Sequence, residues 1–356
     1  MKILQVIPYF CFGGAETMCE NLTYGLTAMG HRVTVVSLYA QRTPISRRME
    51  EAGIRILYLD KKLGLDVSMV SKLYRIMKQE KPDAVHTHLD VIKYAVPAAK
   101  LAGVKRCVHT VHNVAQKEAE GRLQKLINGF FYRLGWSVPV ALSPLVQQTV
   151  VEFYGLKQAA VPVIFNGVDL SRCLPKETYA FAGGPRLLHI GRFNEQKNHR
   201  RVLEAFRLFS RIYPDARLDL LGDGELLEET KAYARELSLQ EKVQFRGSQS
   251  NVYPWLRDAD LFLLPSDYEG MPMTVIEAMG TGLPIVATEV GGLPDMITRN
   301  ESGLLTELSA EAVSEACLEL AKSEELRARL GRKAREESRR FSAEFMAESY
   351  LRLYSK

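Results

Sequence analysis

The sequence predicts an α/β protein of two domains, each a parallel sheet wrapped by helices. Three observations predict it. At 356 residues the chain exceeds the length that one hydrophobic core usually serves. Short β-branched runs alternate with longer helical patterns, as in strands joined by crossover helices. The alternation halts in a stretch rich in Gly and Pro, "FNGVDLSRCLPKETYAFAGGP" (165–185), and then begins afresh.

In the first half, "ILQVI" (3–7), "RVTVVSL" (32–38), "IRILYL" (54–59), "AVHTH" (84–88), "RCVHTV" (106–111) and "PVALS" (139–143) read as strands, with helical periodicity between them, as over 15–29 and 68–80. In the second, "RLLHIGR" (186–192), "ARLDLLG" (216–222), "KVQFRG" (242–247), "DLFLLPS" (260–266), "LPIVATEV" (283–290) and "SGLLTE" (302–307) read as strands, separated by helices near 197–213, 225–238, 249–258 and 272–280. From about residue 308 the chain is helical and highly charged. The expected division is 1–168, 169–341 and a terminal helix over 342–356 that packs back on the first domain. Two Rossmann-like domains facing each other leave a cleft, and open α/β sheets bind ligands outside the carboxyl ends of their strands.

Composition narrows the class. With 46% hydrophobic and 25% charged residues the chain is no disordered protein. Its five cysteines (Cys11, Cys19, Cys107, Cys173, Cys317) are scattered without a C-x-x-C pair, which fits neither a disulfide framework nor a zinc site and points to the reducing cytoplasm. No run approaches the roughly 18 apolar residues that span a bilayer. "MKILQVIPYF", broken by Pro8 and soon followed by Glu16 without a cleavage site, reads as a buried strand and not a signal peptide. The net charge of +5 hides an asymmetry: residues 1–170 hold 21 Lys and Arg against 13 Asp and Glu, the remainder 26 against 29. A basic half suits phosphates, nucleic acid or an anionic membrane surface.

Gly13 and Gly14 follow the first strand, where glycines let backbone N–H groups approach a phosphate at a helix start; a plain tight turn is the alternative. The G-x-G-x-x-G spacing is absent and the second strand ends at Val36-Ser37 without an acid, which argues against a dehydrogenase. The P-loop pattern is absent too. "HIGRFNEQKNHRRVLEAF" puts Arg192 at a strand's carboxyl end and Lys197 at the opening of the next helix, two cations suited to a diphosphate. "EGMPMTVIEAMGTGLPIVAT" (269–288) sets Glu269 before a helix and Glu277 inside it, flanked by Val275, Ile276, Ala278 and Met279. A partly buried carboxylate there costs free energy unless something binds it.

Together "GGAE" (13–16), "NGVD" (166–169), Arg192 with Lys197, "LFLLPSDYEGMPMTVIEAMGTGLPIVAT" (261–288) and "GGLPDMI" (291–297) resemble family 4 of the retaining glycosyltransferases, which have the GT-B fold. The resemblance spans nearly the whole chain and is stronger in the second half. It implies transfer of a sugar from a nucleotide-sugar to a glycan or lipid-linked acceptor. It further implies that Glu277 accepts hydrogen bonds from the ribose hydroxyls and that Glu269 lies against the donor sugar. The backbone at Gly270, Met271 and Met273 would frame sugar and phosphates, since Pro272 has no N–H. Arg246 and Gly247, like Gly222, fall where the base is read. "TVHN" places His112 near the donor sugar, as a hydrogen-bonding group and not a nucleophile. The expected donor site is therefore Gly13, Gly14, Arg192, Lys197, Arg246, Gly247, Glu269, Gly270, Met271, Met273 and Glu277, with His112, Arg192, Lys197 and Glu269 acting in catalysis.

Other clusters read differently. His86 and His88 share a strand face, yet no acid or cysteine stands at ligand spacing, and no metal or other cofactor is expected. Asp258 and Asp260 precede their strand, the wrong end for a metal-bound diphosphate. The leaving group's charge then falls to Arg192, Lys197 and helix dipoles. Residues 115–138 combine Lys117, Arg122, Lys125 and Arg133 with Leu126, Phe130, Phe131, Tyr132, Leu134 and Trp136: a helix lying on an anionic bilayer, or a core helix packed on the sheet.

Within the family, glycogen- and starch-type synthases carry K-x-G-G-L and thiol-precursor transferases a GGSG-like loop. "FGGAE" matches neither, so the expectation is a bacterial enzyme of capsule, exopolysaccharide or lipopolysaccharide synthesis. It would use a UDP-sugar, with GDP the alternative, and work in the cytoplasm or at the inner face of the cell membrane. A GT-B sugar-nucleotide epimerase is the rival reading. A nucleic-acid-binding protein is disfavoured, for want of interleaved aromatics or a recognition helix and by the acidic second half.

Overall fold

The computed structural model describes residues 1–10, 13–119 and 121–356; Cys11, Phe12 and Glu120 lie outside the described residues, and with them part of the "FGGAE" loop and of the 115–138 segment. The chain forms two compact units, Met1–Gly167 with Ala343–Lys356, and Val168–Ser342.

In the first unit β1 (Lys2–Ile7), β2 (Arg32–Ser37), β3 (Arg55–Tyr58), β4 (Ala84–His88), β5 (Arg106–Val111) and β6 (Val138–Ala141) form a wholly parallel sheet in the order β3-β2-β1-β4-β5-β6. The connecting helices are α1 (Gly14–Ala28), α2 (Pro44–Glu51), α3 (Ser68–Glu80), α4 (Ile92–Ala102), α5 (Ala115–Glu118), α6 (Gly121–Arg133) and α7 (Pro144–Tyr154). A sheet covered on both faces needs strands that are apolar throughout, and β1 and β2 are buried at every residue after their first.

In the second unit β7 (Arg186–Ile190), β8 (Arg217–Leu221), β9 (Val243–Phe245), β10 (Leu261–Leu264), β11 (Ile285–Thr288) and β12 (Leu304–Thr306) repeat the plan in the order β12-β11-β10-β7-β8-β9. Counted from its own first strand, each sheet runs 3-2-1-4-5-6, the doubly wound order. The helices are α8 (His199–Ile212), α9 (Leu227–Glu236), α10 (Tyr253–Asp258), α11 (Met273–Thr281), α12 (Leu293–Met296), α13 (Ala310–Lys322) and α14 (Glu324–Glu337). The core gathers around Phe206, Phe209, Leu218, Leu261 and Leu263.

Three helix readings need correction. Lys197 does not open α8. It ends a short 3-10 turn (Glu195–Lys197), and Asn198 at φ +46° breaks the chain there and caps α8 by accepting from Arg201 N–H at 3.1 Å. The helix expected from 249 starts at Tyr253, after Asn251 turns the chain by accepting from Tyr253 N–H. The described part of 115–138 holds two helices, α5 and α6, and ends at the start of β6.

The last helix, α15 (Ala343–Tyr354), belongs to the first unit and packs on α1. Tyr350 and Tyr354 are fully buried, their hydroxyls 2.7 Å from Thr110 Oγ1 and His86 Nδ1. Gly25 permits the contact, because a Cβ there would stand 2.8 Å from the carbonyl oxygen of Ala343 and 3.0 Å from the Cβ of Ala347. Gly25→Ala should therefore lower the urea midpoint. Overpacking costs about 1–3 kcal/mol, which outweighs the gain of about 1 kcal/mol in helix propensity. A stabilised variant would mean that α15 does not lie against α1 in this way.

Candidate active site

In the doubly wound order, the first and fourth strands of a sheet are neighbours whose following chains leave in opposite directions, and the loops beyond them open a crevice. In the second unit these strands are β7 and β10, paired through Leu187 with Leu261 and Leu188 with Phe262. The loop after β7 carries Gly191, Arg192, Gln196 and Lys197; the loop after β10 carries Ser266, Glu269, Gly270 and Met271. The fold thus joins two of the sequence-predicted residues directly.

Glu269 is 3% exposed. Its Oε1 accepts from Lys197 Nζ at 2.5 Å and from Ser266 Oγ at 2.6 Å, and its Oε2 from Gln196 Nε2 at 3.2 Å. Burying an ion costs several kcal/mol, and only close pairing with further hydrogen bonds offsets it. Gly291 closes the arrangement from "GGLPD": at φ +57° its missing Cβ would stand 1.8 Å from the Glu269 carbonyl oxygen, so no other residue fits. The sequence reading gave Lys197 to the diphosphate and Glu269 to the sugar; the structure makes them one unit. Ser266 and Gln196 were missed, since neither carries a motif of its own.

Glu277 lies in α11, also buried. Tyr253 Oη is 3.5 Å from its Oε1, and the Arg172 guanidinium sits 4.7 Å above the Tyr253 ring. Burial, then the nearby Glu277, pushes the Tyr253 hydroxyl far above its ordinary value, so it stays protonated and can donate. Gly270, Met271 and Met273 are buried in the turn leading to α11, whose N-cap, Pro272, supplies no side-chain cap. Its first N–H groups thus keep their capacity for an anion.

Arg192 stands two residues beyond β7, its side chain 62% exposed and 3.3 Å from Glu225. Such a surface pair contributes about 0–1 kcal/mol and leaves the guanidinium free to move. Arg246 is more firmly held, donating to Asp219 Oδ1 at 2.6 Å with its guanidinium 5.3 Å from the Trp255 ring. Gly247 accepts from Gly222 N–H at 2.9 Å, tying together the ends of β8 and β9. Asp260 accepts from Arg186 N–H at 2.8 Å, and Asp258 pairs with Arg257. His189 and His199 form a buried edge-to-face pair below the β7 loop; burial holds them near about 4 and about 2, hence neutral. The sequence gave no signal for them beyond their types.

In the first unit, Gly13 and Gly14 stand at the start of α1, with Gly13 its extended N-cap. His112 follows β5, and its hydrogen-bonding state can be traced. Gln5 Nε2 donates to Thr23 Oγ1 at 2.6 Å and to the Cys19 carbonyl at 3.4 Å, so Gln5 Oε1 is the atom 2.9 Å from His88 Nε2. His88 Nε2 must donate, leaving a lone pair on Nδ1. His112 Nε2, 3.2 Å from that lone pair, donates in turn, and His112 Nδ1 is left as an acceptor. Burial pushes His112 down to about 3, so it works as a neutral ring. His86 and His88 do not face a common ligand position: His86 bonds Tyr354 and Thr110. Among the described residues no three His, Cys, Asp or Glu side chains gather as metal ligands.

Two neighbouring loops with a buried acid-base pair thus stand at the switch point of the second of two doubly wound sheets. Comparison with known proteins gives the family. The model for glycosyltransferase family 4 matches residues 12–172 and that for group 1 glycosyl transferases matches residues 175–337. The chain belongs to glycosyltransferase family 4; it is a glycosyltransferase of the GT-B fold. It is similar to the Escherichia coli UDP-Gal:alpha-D-GlcNAc-diphosphoundecaprenol alpha-1,3-galactosyltransferase, with 29% identity over 68% of this chain and 67% of that one. It is also similar to the N-acetyl-alpha-D-glucosaminyl L-malate synthase of Bacillus anthracis, with 27% identity over 81% and 78%. In fold it matches a Rickettsia africae glycosyltransferase (TM-score 0.83, 22% identity, 99% and 97% covered) and Anabaena HepE, solved with UDP-glucose (0.87, 19%, 100% and 99%).

The Lys197–Glu269 contact can be tested on stability alone. Lys197→Met and Glu269→Gln should each cost about 3–5 kcal/mol, because each strands the other member in a buried site. The double variant should lose clearly less than the sum of the two. Additive losses in urea unfolding would show the two groups to be uncoupled.

Proposed function

We propose that this chain moves a hexose from a UDP-sugar to a lipid-linked or glycan acceptor in bacterial surface-polysaccharide synthesis, with retention and without a metal ion. The observation that carries the reading is the Lys197–Glu269 unit at the switch point, with Glu277 eight residues further on, buried in α11. Glu277 accepts from the ribose hydroxyls. Glu269, fixed by three donors, presents its remaining lone pairs to the sugar. Arg192 swings from its weak partner Glu225 onto the diphosphate, where the first amides of α11 and the spare donors of Lys197 add to it. As the glycosidic bond breaks, negative charge grows on the diphosphate, and these preset donors stabilise it most in the transition state. Retention fits a site whose sugar-facing carboxylate is neutralised by Lys197 and two further donors and so is a poor nucleophile; the acceptor then attacks from the face the diphosphate leaves. The name of the E. coli relative, with its UDP-galactose donor and undecaprenol-linked acceptor, supports the donor and acceptor classes.

Thermal unfolding with UDP-glucose, UDP-galactose and GDP-mannose, each with and without EDTA, tests the donor reading. A UDP-sugar should raise Tm by binding linkage and EDTA should leave the shift intact. Glu277→Ala should weaken UDP and UDP-sugar alike, by about 1.5–3 kcal/mol. Arg192→Ala should slow turnover more than it weakens binding. Stabilisation by GDP-mannose alone would overturn the base assignment, and a shift abolished by EDTA the metal-free one.

The membrane reading rests on α6. Phe131 and Tyr132 pack inward, whereas Leu123 (69% exposed), Leu126 and Phe130 (53%) form an outward stripe at spacings of three and four, beside Arg122 and Lys125. No helix among the described residues is long and apolar enough to cross a membrane. The protein should sediment with phosphatidylglycerol vesicles and not with phosphatidylcholine, and Leu123→Glu/Leu126→Glu should abolish this at unchanged Tm. Failure to bind anionic vesicles would remove the peripheral-membrane assignment.

A further inference from the structure

Beneath the loop that carries His112 lies a closed polar cluster that the proposed reaction does not use. Glu118, the last residue of α5, turns its side chain inward, and it is 8% exposed. The backbone N–H groups of His112 and Asn113 favour the ionised form of its carboxyl. Glu118 Oε1 stands 3.9 Å from His109 Nε2, and neither atom has a hydrogen-bond partner among the described residues; Tyr132 Oη, on a ring 6.2 Å from that of His109, has none there either. Buried polar atoms without partners are rare in folded proteins, so three together ask for an explanation.

Among the described residues, the titratable groups facing Glu118 are His109 on β5, His112 after it, Asp90 beyond β4, Tyr132 on α6 and Tyr154 on α7. Burial, with a smaller push from Asp90, raises the carboxyl to about 7, against the pull of the two amides. His109 adapts to either state. Its Nδ1 is 2.9 Å from Thr87 Oγ1, which also lies 3.2 Å from the Val108 carbonyl. With the Thr87 hydroxyl donating to Val108, His109 carries its proton on Nδ1, and its bare Nε2 accepts from a protonated Glu118. With the hydroxyl donating to His109 Nδ1, the ring carries its proton on Nε2 and offers it to an ionised Glu118. Passing from the first state to the second releases one proton to solvent and moves one across the ring.

We propose that Glu118 is a positioning residue for His112, and that its ionisation, answered by His109, sets how firmly the loop 112–114 is held. The ionised carboxyl binds the His112 and Asn113 amides and fixes the imidazole whose Nδ1 accepts from the sugar; the protonated one turns to His109 and slackens that hold. The inference rests on the reading that His112 faces the donor sugar.

Selective 15N labelling of histidine and asparagine in the full chain makes the two amides visible. Their shifts should titrate with a midpoint near 7 in the wild type and stay flat between pH 5 and 9 in Glu118→Gln. Stability gives a second readout. A carboxyl raised from 4.5 in the unfolded chain to about 7 in the fold means that the native state holds the extra proton between those values, so stability falls as pH rises through that window. Glu118→Gln escapes this loss, and its Tm should gain on the wild type from pH 5 to pH 8. Amides that do not titrate in the wild type, or titrate alike in Glu118→Gln, overturn the proposal, as does a Tm difference independent of pH. Hydrolysis of UDP-glucose separates the two readings. Glu118→Gln should lose the rise in kcat through pH 7 with little change in KM, whereas His112→Ala should be slow at every pH. A His112→Ala variant as fast as wild type would sink the role of His112 and leave the amide titration to decide Glu118 by itself.

Discussion

The second unit is organised around one constraint: a carboxyl group buried between two loops must find partners there. Glu269 meets it through Lys197, Ser266 and Gln196. Ser266 comes from the same loop as Glu269, whereas Lys197 and Gln196 are supplied by the topology, since the loops after β7 and β10 become neighbours only because first and fourth strands pair. Other features follow from keeping that loop in place. Asn198 stops the 3-10 turn so that Lys197 faces inward, and its side chain then caps α8 and reaches Asp267. Gly291 lets the next turn pass over the Glu269 backbone. A lysine at this position therefore has two duties, neutralising the acid and presenting its remaining donors outward.

The first unit has the same strand order and solves a different problem. Its switch-point strands, β1 and β4, bring Gln5 and His88 together, and the relay Thr23–Gln5–His88–His112 is built from neutral groups. Burial holds the imidazoles uncharged, so no counter-ion is required and the row can lie within the sheet. Because Gln5 fixes the tautomer of His88, and His88 that of His112, the orientation of a remote amide decides which nitrogen of His112 is left as an acceptor. Tyr350 and Tyr354 from α15 close the far side of the row. The terminal helix thereby bears on the histidines as well as on the packing of α1.

Much of this was legible in the sequence. Strand positions could be read because parallel strands buried on both faces are unbroken apolar runs, and the repeat was visible because the pattern restarts after residue 185. Glu269 and Glu277 stood out as acids in apolar surroundings. Partnership was not legible. Nothing local says that Lys197 reaches a carboxylate 72 residues away, or that Ser266, an ordinary loop serine, donates to it. Helix starts failed where one side chain decides, as at Asn198 and Asn251. The 115–138 segment misled because its apolar residues divide between two destinations: Phe131 and Tyr132 enter the core, whereas Leu123, Leu126 and Phe130 remain outside. Composition and periodicity alone cannot assign the two sides of such a helix.

The contrast between the units bears on how one fold serves a transfer reaction. A cation held by an acid, as Lys197 is by Glu269, is kept in place without folding as an isolated buried charge. A neutral imidazole of fixed tautomer, as His112 is, supplies hydrogen-bond direction without charge. The sequence places the paired charges beyond the strands of one sheet and the neutral relay within the other. The division follows from the physics of burial, since an ion in a sheet interior would need its partner there as well, whereas an imidazole held well below its usual range needs only hydrogen bonds.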